Sequence, residues 1–315
     1  MDKFDRIAHA LTHTYKANLP TSPLPRPLVR SKADFFRPVD EIPRDWLCGP
    51  ICSDFVDRFL AGQLSEEENR CVGFREQMVR PELIRRTQLE VAGTVLTAVL
   101  AYRYGIAANV AGGTHHAHPF GGAGFTILND LAVAANFLTD ESINHGTIQG
   151  VKRVLVIDCD VHQGDGTARF GNGPLRDRLF TLSLHCESNY PQLKARSTID
   201  VGLPDKMRDD AYQKVLEESV EAAIDLVDPD FIFYDAGVDV YEHDKLGRLC
   251  VSEEGIRRRD RWVLDHCVSL GIPTAAVVGG GYDKDVDALA RRHALVHEEA
   301  SHVWRKYRMW ERAQQ

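Results

Sequence analysis

The sequence predicts an α/β protein: a single three-layer domain in which helices flank a central, mainly parallel β-sheet. Two observations predict this class. After residue 105, short apolar runs rich in β-branched residues alternate with amphipathic segments of helical length. The runs are apolar on both faces, which is typical of parallel strands buried between two layers of helices. Such sheets carry their chemistry at the carboxyl ends of the strands, so the residues that follow each run are the candidate site.

The first 50 residues predict an irregular, proline-rich arm that packs on the domain formed by residues 51–315. Half of the 14 prolines fall between residues 15 and 50, and this composition opposes long helices. Two helices are predicted next. The first spans residues 54–62 and ends at a glycine, and the second spans residues 81–105, with proline in its first turn and glycine at its end.

Five apolar runs predict the strands, and two amphipathic segments predict helices between them. The strand runs are AANVAG (107–112), RVLVIDCDV (153–161), LFTLSLH (179–185), DFIFYDAG (230–237) and PTAAVVGGG (273–281). The helical segments are residues 209–227 and 253–271. Four of the five runs are followed by acidic residues or histidines, and the fifth ends in three glycines and a tyrosine.

Composition excludes several functional classes. With 43% hydrophobic and 27% charged residues the chain can build a large core, and its net charge of −8 argues against nucleic-acid binding. Seven cysteines spread along the chain favour a reducing compartment. The longest apolar run, residues 91–102, is too short to span a bilayer, and the first residues lack a secretory signal. We therefore expect a cytoplasmic protein, or a nuclear one in a eukaryote, with no membrane partner.

A candidate metal site follows the second predicted strand. Asp158, Asp160 and His162 alternate along an extended segment, so their side chains point to the same side. Two carboxylates and an imidazole in so small a volume require a cation. We therefore expect Asp160 and His162 to bind a divalent ion.

The third ligand must come from another strand. Asp239 is the best candidate because it follows the strand run that ends at residue 237, and Asp235 and Asp244 are the alternatives. One imidazole and two carboxylates suit Zn²⁺, while Fe²⁺, Mn²⁺ and Co²⁺ remain open.

Two further groups can move or donate protons. His115 and His116 stand in tandem in a glycine-rich loop, where Asp158 and Asp165 can orient them as general acid/base groups. Tyr282 follows three glycines that let the chain turn sharply, so its hydroxyl can donate to a developing oxyanion. Each could instead be an ordinary structural histidine or turn tyrosine.

These motifs resemble those of the zinc-dependent histone deacetylases of the arginase/deacetylase fold. The resemblance covers roughly residues 50–290 and is most similar to class IV members and their bacterial relatives. The matching stretches are AGGTHHAHPFGGAGFTILND (111–130), VLVIDCDVHQGDGTARF (154–170), TLSLHCESNYP (181–191), DAGVDVYEHDKLGRL (235–249) and GGGYDKDV (279–286). They occur in the family's order, so residues 51–315 are expected to be a deacetylase catalytic domain.

The resemblance implies two cation sites. The zinc ligands would be Asp160, His162 and Asp239. A structural potassium ion would be bound by Asp158, Asp160, His162, Ser183 and Leu184, several of them through backbone groups.

The resemblance also implies the catalytic roles. His116, paired with Asp165, would act as general base and then as general acid. His115, paired with Asp158, would contribute electrostatically, and Tyr282 would polarise the scissile carbonyl.

A narrow channel for the substrate is implied as well. Gly124 and Phe125 on one side and Tyr190 on the other would line it for an acylated lysine side chain, and Glu76 is the candidate to bind the substrate backbone. The implied activity is removal of acetyl or longer acyl groups from lysine in proteins such as histones.

Three alternatives remain open. An amidohydrolase acting on acetylpolyamines would share every catalytic residue. An arginase-like enzyme would need two manganese ions and further bridging aspartates, and the sequence shows one convincing ligand triad. A non-catalytic scaffold would be expected to have lost the tyrosine or the tandem histidines, and both are present.

Overall fold

A six-stranded, wholly parallel sheet forms the centre of the molecule. The structure is a computed structural model, and it describes residues 3–13, 28–38, 40–74 and 80–314. The strands are β1 (Ile106–Ala108), β2 (Val154–Asp158), β3 (Leu179–Cys186), β4 (Ile199–Leu203), β5 (Phe231–Asp235) and β6 (Thr274–Val277). Their order across the sheet is β1-β6-β5-β2-β3-β4. This architecture confirms the predicted fold class.

Eleven α-helices lie in the described residues. They are α1 (Lys3–Thr12), α2 (Arg44–Cys48), α3 (Ser53–Leu60), α4 (Glu66–Val72), α5 (Pro81–Tyr104), α6 (Asp130–Thr139), α7 (Glu141–Asn144), α8 (Asp165–Gly171), α9 (Asp209–Val227), α10 (Glu253–Ser269) and α11 (Val286–Lys306). None of the described helices is long and apolar enough to cross a membrane.

The strand pleat divides the core into two apolar layers. Val154 and Val156 of β2 join the cluster formed with α5 and α6, whereas Leu155 and Ile157 join the cluster formed with α9, α10 and α11. All four side chains are fully buried. Successive strand residues point to opposite faces, which is why an uninterrupted apolar run marks a strand covered on both sides.

The prediction that residues 1–50 are irregular is wrong for two segments, because α1 and α2 lie within them. Ile7 and Leu11 lie one turn apart on α1 and are buried in the apolar cluster that includes Ala290 and Ala294 of α11. All the prolines of the arm come after this segment, so none opposes the helix. Residues 14–27 and 39 lie outside the described residues, and the prediction for them is untested.

Several elements of the structure were not predicted from the sequence. Helices α6 and α11 and the edge strand β4 were not predicted, and β1 is shorter than its apolar run. The residues of β4 alternate between half-buried and exposed, with one buried residue at the end, so they lack the continuous apolar pattern of the central strands. The predicted strands β2, β3, β5 and β6 and the predicted helices α3, α5, α9 and α10 are confirmed.

Candidate active site

The functional side chains lie at the carboxyl edge of the sheet, beyond adjacent strands. Strands β2 and β5 are neighbours, and their last residues, Asp158 and Asp235, are register partners. The chain leaving β2 carries Asp160 and His162, and the chain leaving β5 carries Asp239. Parallel strands all end at the same edge of the sheet. Asp160 and Asp239 therefore lie close together there, although they are 79 positions apart in the chain.

Asp160, His162 and Asp239 form a compact, buried triad. One ligand atom of each lies within 4.8 Å of the ligand atoms of the other two. His162 Nδ1 is 2.9 Å from Asp160 Oδ1 and 3.2 Å from Asp239 Oδ2. Of the alternative third ligands, Asp244 is not part of a potential metal-binding group among the described residues, and Asp235 belongs to a different one.

The triad fits a divalent cation. Asp239 is fully buried, and its Oδ1 accepts a hydrogen bond from the Val161 backbone N–H at 2.8 Å, but its Oδ2 makes no well-aligned hydrogen bond, although His162 Nδ1 lies 3.2 Å away. Burial, together with the neighbouring Asp160 carboxylate, raises the pKa of Asp239. A buried carboxylate oxygen without a partner is costly, and a metal ion bound by these three side chains would remove the cost.

The tandem histidines are each paired with a carboxylate. His115 Nδ1 lies 2.8 Å from Asp158 Oδ2, and His116 Nδ1 lies 2.8 Å from Asp165 Oδ1. Such a carboxylate fixes the ring orientation, and in His116 it also fixes the tautomer that leaves Nε2 free to accept a proton.

The two histidines differ in protonation. Burial and the neighbouring His115 lower the pKa of His116 to about 4, so His116 is a neutral base at pH 7. Burial also disfavours the charged form of His115, but Asp158 and Asp160 outweigh it and hold the pKa of His115 well above its usual value. His115 is therefore a fixed positive charge beside a neutral base.

A glycine is required beside His116. Gly124 has φ = +54°, and a Cβ atom there would lie 2.5 Å from Cδ2 of the His116 ring. A side chain at this position would displace the imidazole, and the backbone conformation is one that glycine adopts readily.

Tyr282 is brought to the triad by the glycine loop after β6. Gly280 donates its N–H to Asp160 Oδ2 at 2.7 Å and accepts a hydrogen bond from Val238 N at 2.8 Å. The Tyr282 ring stands edge-on to His162, with 6.3 Å between the ring centroids. Burial and nearby carboxylates raise the pKa of Tyr282, so its hydroxyl stays protonated and can donate a hydrogen bond.

A cavity of about 190 Å³ reaches this group of side chains. Its lining includes His116, Gly124, Phe125, His162 and Tyr282. Tyr190 does not line the cavity, but its ring packs edge-on against His116 with 4.9 Å between centroids. Phe125 and Tyr190 are about half exposed, so each offers an apolar surface to a ligand. Glu76, the candidate for binding the substrate backbone, lies outside the described residues.

The residues of the implied potassium site adjoin the triad. Ser183 of β3 is the register partner of Asp158, and Leu184 follows it, fully buried. Ser183 Oγ lies 3.0 Å from His185 Nδ1, and Asp158 Oδ1 accepts a hydrogen bond from Asp160 N at 3.1 Å.

Arg259 of α10 is a buried residue beneath the site that sequence reasoning missed. It is fully buried and donates hydrogen bonds to the carbonyl oxygens of Gly237 at 2.7 Å, Ala236 at 3.2 Å and Cys159 at 3.3 Å. These carbonyls flank the segments that carry Asp160 and Asp239. The available signal was its place on the apolar face of α10, three residues after Ile256.

The chain matches a family of known proteins. Residues 35–298 match the family described as "Histone deacetylase domain". The chain belongs to the histone deacetylase family. The match begins inside the N-terminal arm and ends in α11, so it spans every strand of the sheet. Family membership supports a deacetylase, and hence a hydrolase, that depends on a metal.

Relatives of the deacetylase family come from distant organisms. An uncharacterized protein of Picosynechococcus sp. is 43% identical over 262 residues, covering 83% of each chain. Histone deacetylase 2 of Arabidopsis thaliana is 31% identical over 215 residues, which are 67% of this chain and 53% of the plant protein. A probable deacetylase of Archaeoglobus fulgidus is 31% identical over 53% of this chain and 47% of its own length.

Two solved structures of deacetylase-type proteins share the fold. The HD domain of HDA15 has a TM-score of 0.67 at 21% identity and covers 96% of this chain and 83% of that one. Acetylpolyamine aminohydrolase from Burkholderia pseudomallei has a TM-score of 0.63 at 17% identity, covering 84% of each chain. At these identities the likeness concerns the fold.

Proposed function

We propose that this chain is a zinc-dependent hydrolase that removes acetyl or longer acyl groups from the ε-amino group of lysine in proteins such as histones. One observation carries the proposal: two members of the buried Asp160–His162–Asp239 triad, Asp160 and His162, line the same cavity as His116. The motif DVYEHDKLG at residues 239–247 supports placement with class IV members and bacterial relatives, and the composition supports a cytoplasmic protein.

The proposed metal site uses Asp160, His162 and Asp239. When bound there, Zn²⁺ or, as the alternative, Fe²⁺ would act as a Lewis acid on the amide carbonyl and would lower the pKa of a bound water. We further propose that Asp158, Asp160, His162, Ser183 and Leu184 bind a structural potassium ion.

The chain's own residues supply the proton transfers. His116 is neutral at pH 7, so its Nε2 can take a proton from the attacking water while Asp165 stabilises the resulting imidazolium through Nδ1. The same Nε2 then gives the proton to the departing lysine amine. His115, held positive by Asp158, keeps the pKa of His116 low and thereby favours that second transfer.

Tyr282 acts on the carbonyl oxygen. Its hydroxyl remains protonated near neutral pH, so it can donate a hydrogen bond that strengthens as negative charge develops on that oxygen. The apolar stem of the lysine would pass along the exposed rings of Phe125, which lines the cavity, and Tyr190, which packs against His116.

A second candidate substrate is an acetylated polyamine, which contains the same amide bond on an alkylamine. The fold likeness to an acetylpolyamine aminohydrolase favours including it, and the residues at the bond to be cleaved would have the same roles. Surface loops around the cavity would decide between the two.

The decisive experiment measures acyl release from metal-defined protein. Metal-stripped chain is reconstituted with Zn²⁺ or Fe²⁺ and given acetyl-lysine peptides, longer acyl-lysine peptides and acetylpolyamines. We expect hydrolysis that a hydroxamate chelator blocks and that falls steeply in the Asp160→Ala and His116→Ala variants. His118→Ala, in the same loop but outside both His–Asp pairs, is the matched control and should retain activity. Turnover that survives Asp160→Ala would refute the metal assignment, and no turnover with any substrate would favour a scaffold.

A further inference from the structure

Helix α1 brings a lysine into the catalytic cavity. Lys3, the first residue of the helix, lines this cavity together with Asp160 and Tyr282. Its side chain is partly buried, and Nζ donates a hydrogen bond to the Gly279 carbonyl at 3.0 Å. The match to the deacetylase family begins only at residue 35, so this contact comes from a part of the chain that the family does not account for.

The carbonyl that Lys3 binds belongs to the glycine loop, residues 279–281, which carries Tyr282. Glycines lose more conformational freedom on ordering than other residues, so contacts from other parts of the chain are needed to hold three of them in one conformation. Lys3 is the only hydrogen-bond partner of the Gly279 carbonyl in the part of the chain that the structure describes. Without it, Gly279 would keep only the bond from its N–H to the Gly112 carbonyl at 3.3 Å.

The glycine loop lies directly against the proposed metal ligands. A Cβ atom on Gly280 would lie 2.3 Å from Asp239 Oδ2 and 2.5 Å from Asp160 Oδ2. The N–H of Gly280 donates to the same Asp160 oxygen at 2.7 Å. Small shifts of this loop therefore change the surroundings of the triad, and they also move Tyr282, two residues further along the chain.

Helix α1 is anchored on both sides of the loop. Ile7 and Leu11 are buried in a cluster that includes Val278, the residue before the loop, and the cluster continues onto α11, the helix after it. On the exposed side of the same helix, Arg6 forms an ion pair with Asp287 of α11 at 3.1 Å. The backbone that carries Lys3 is thus held firmly enough to restrain the loop.

We propose that Lys3 is a positioning residue for Tyr282. By binding the Gly279 carbonyl, its ammonium group fixes the turn that directs the tyrosine hydroxyl toward the carbonyl oxygen of the substrate. Helix α1, which precedes the residues of the family match, is then part of the active site. The inference rests on the proposed function for the role of the Tyr282 hydroxyl, but the restraint on the loop does not depend on it.

Hydrogen–deuterium exchange of the loop tests the proposal without requiring activity. The full-length chain, Lys3→Leu and Arg6→Leu are each supplied with Zn²⁺, and peptides covering residues 278–284 are followed by mass spectrometry. We expect about tenfold faster exchange in Lys3→Leu, because the loop loses a hydrogen bond to a charged donor and opens more often. Arg6→Leu is the matched control: it removes a cation from the same helix but leaves the Gly279 contact, and its exchange should be unaltered.

Two results of the exchange measurement would overturn the proposal. One is unchanged exchange of the loop in Lys3→Leu. The other is equal acceleration in Arg6→Leu, which would show that docking of α1 matters and that the ammonium group of Lys3 does not.

Kinetics then test whether the effect acts through the tyrosine. Lys3→Leu should lower kcat about tenfold at unchanged KM and unchanged zinc content, and Arg6→Leu should lower neither kcat nor zinc content. In a Tyr282→Phe background, Lys3→Leu should reduce the single-turnover rate no further, because the hydroxyl that it positions is absent. An undiminished further loss would overturn the assignment to Tyr282. If the unaltered chain hydrolyses no substrate, the proposed function fails, and the exchange measurement still decides whether Lys3 restrains the loop.

Discussion

Asp244 Oδ2 accepts a hydrogen bond from the backbone N–H of Tyr282 at 2.7 Å. The other carboxylate oxygen, Oδ1, accepts from the N–H groups of Leu246 at 2.8 Å and Gly247 at 3.0 Å, and Lys245 N donates to the Tyr282 carbonyl at 3.1 Å. The sequence left Asp244 open as an alternative metal ligand. Its contacts instead make it a positioning residue for the tyrosine.

Asp244→Asn should therefore slow turnover without removing metal. The amide keeps one acceptor oxygen for the turn at residues 246–247 but presents an NH₂ group to the Tyr282 N–H. Loss of one charge-assisted hydrogen bond corresponds to roughly 1.5 kcal/mol, or about a tenfold lower kcat. Steady-state kinetics and metal content would be measured together, with Asp265→Asn on the surface as control. A parallel loss of bound metal would contradict the positioning role.

Arg259→Met should destabilise the fold far more than the same change at its neighbour Arg258. Arg259 is fully buried, pairs with Asp260 and binds three carbonyls, so its loss leaves a buried charge unpaired. The expected cost is about 3–5 kcal/mol in the free energy of unfolding. Arg258 makes an exposed pair with Asp210, and Arg258→Met should cost less than about 1 kcal/mol. Urea denaturation of both variants measures the contrast, and equal costs would contradict it.

Asp165→Asn should impair only the acid/base function of His116. The carboxylate fixes the tautomer of His116 and stabilises its protonated form, so we expect kcat to fall about 10–100-fold. Because the two residues act as a unit, the double variant with His116→Ala should be no slower than His116→Ala itself. Single-turnover rates of the unaltered chain, the two single variants and the double variant complete a double-mutant cycle. Additive losses of rate would contradict the pairing of Asp165 with His116.

Lys194→Met should weaken substrate binding more than turnover. Lys194 Nζ donates to the carbonyls of Asn189 at 2.7 Å and Pro191 at 2.6 Å, which flank Tyr190. Without these bonds the ring is held less firmly against His116, and about 1 kcal/mol of lost binding corresponds to a roughly fivefold higher KM. The exposed Lys214→Met is the control. A fall in kcat at constant KM would contradict the assignment.

The Arg58–Glu68 pair should make stability depend on pH at the acid end. A hydrogen bond from Arg58 lowers the pKa of Glu68 to about 2 in the folded chain, against 4.5 for the free side chain. The stabilisation is therefore present above pH 4.5 and is lost as the pH falls from there through 2. Arg58→Met should cost at most about 1 kcal/mol at pH 7, because both groups are partly solvated, and the cost should shrink below about pH 4. Denaturation curves of both proteins at several pH values would show this. A difference in the free energy of unfolding that stays constant with pH would refute it.

The predicted fold class depended on patterns that act locally. Apolar runs such as residues 153–161 are recognisable because burial on both faces leaves no room for polar side chains. The N-terminal helix α1 could not be predicted in this way, because what stabilises it is the apolar surface of α11, about 280 residues away in the chain. The edge strand β4 was missed for a different reason. It is partly exposed to solvent, so its residues do not form a continuous apolar run.

From the sequence alone, spacing determined that Asp160 and His162 point the same way and that His115 and His116 are tandem, because neighbouring residues have few conformations open to them. Which distant groups meet them was decided only by the order of the strands. That order made Asp158 and Asp235 register partners, brought Asp239 rather than Asp244 to His162, and buried Arg259 beneath the loops between them. A contact between residues far apart in the chain is a property of the packed sheet, and local sequence carries little information about it.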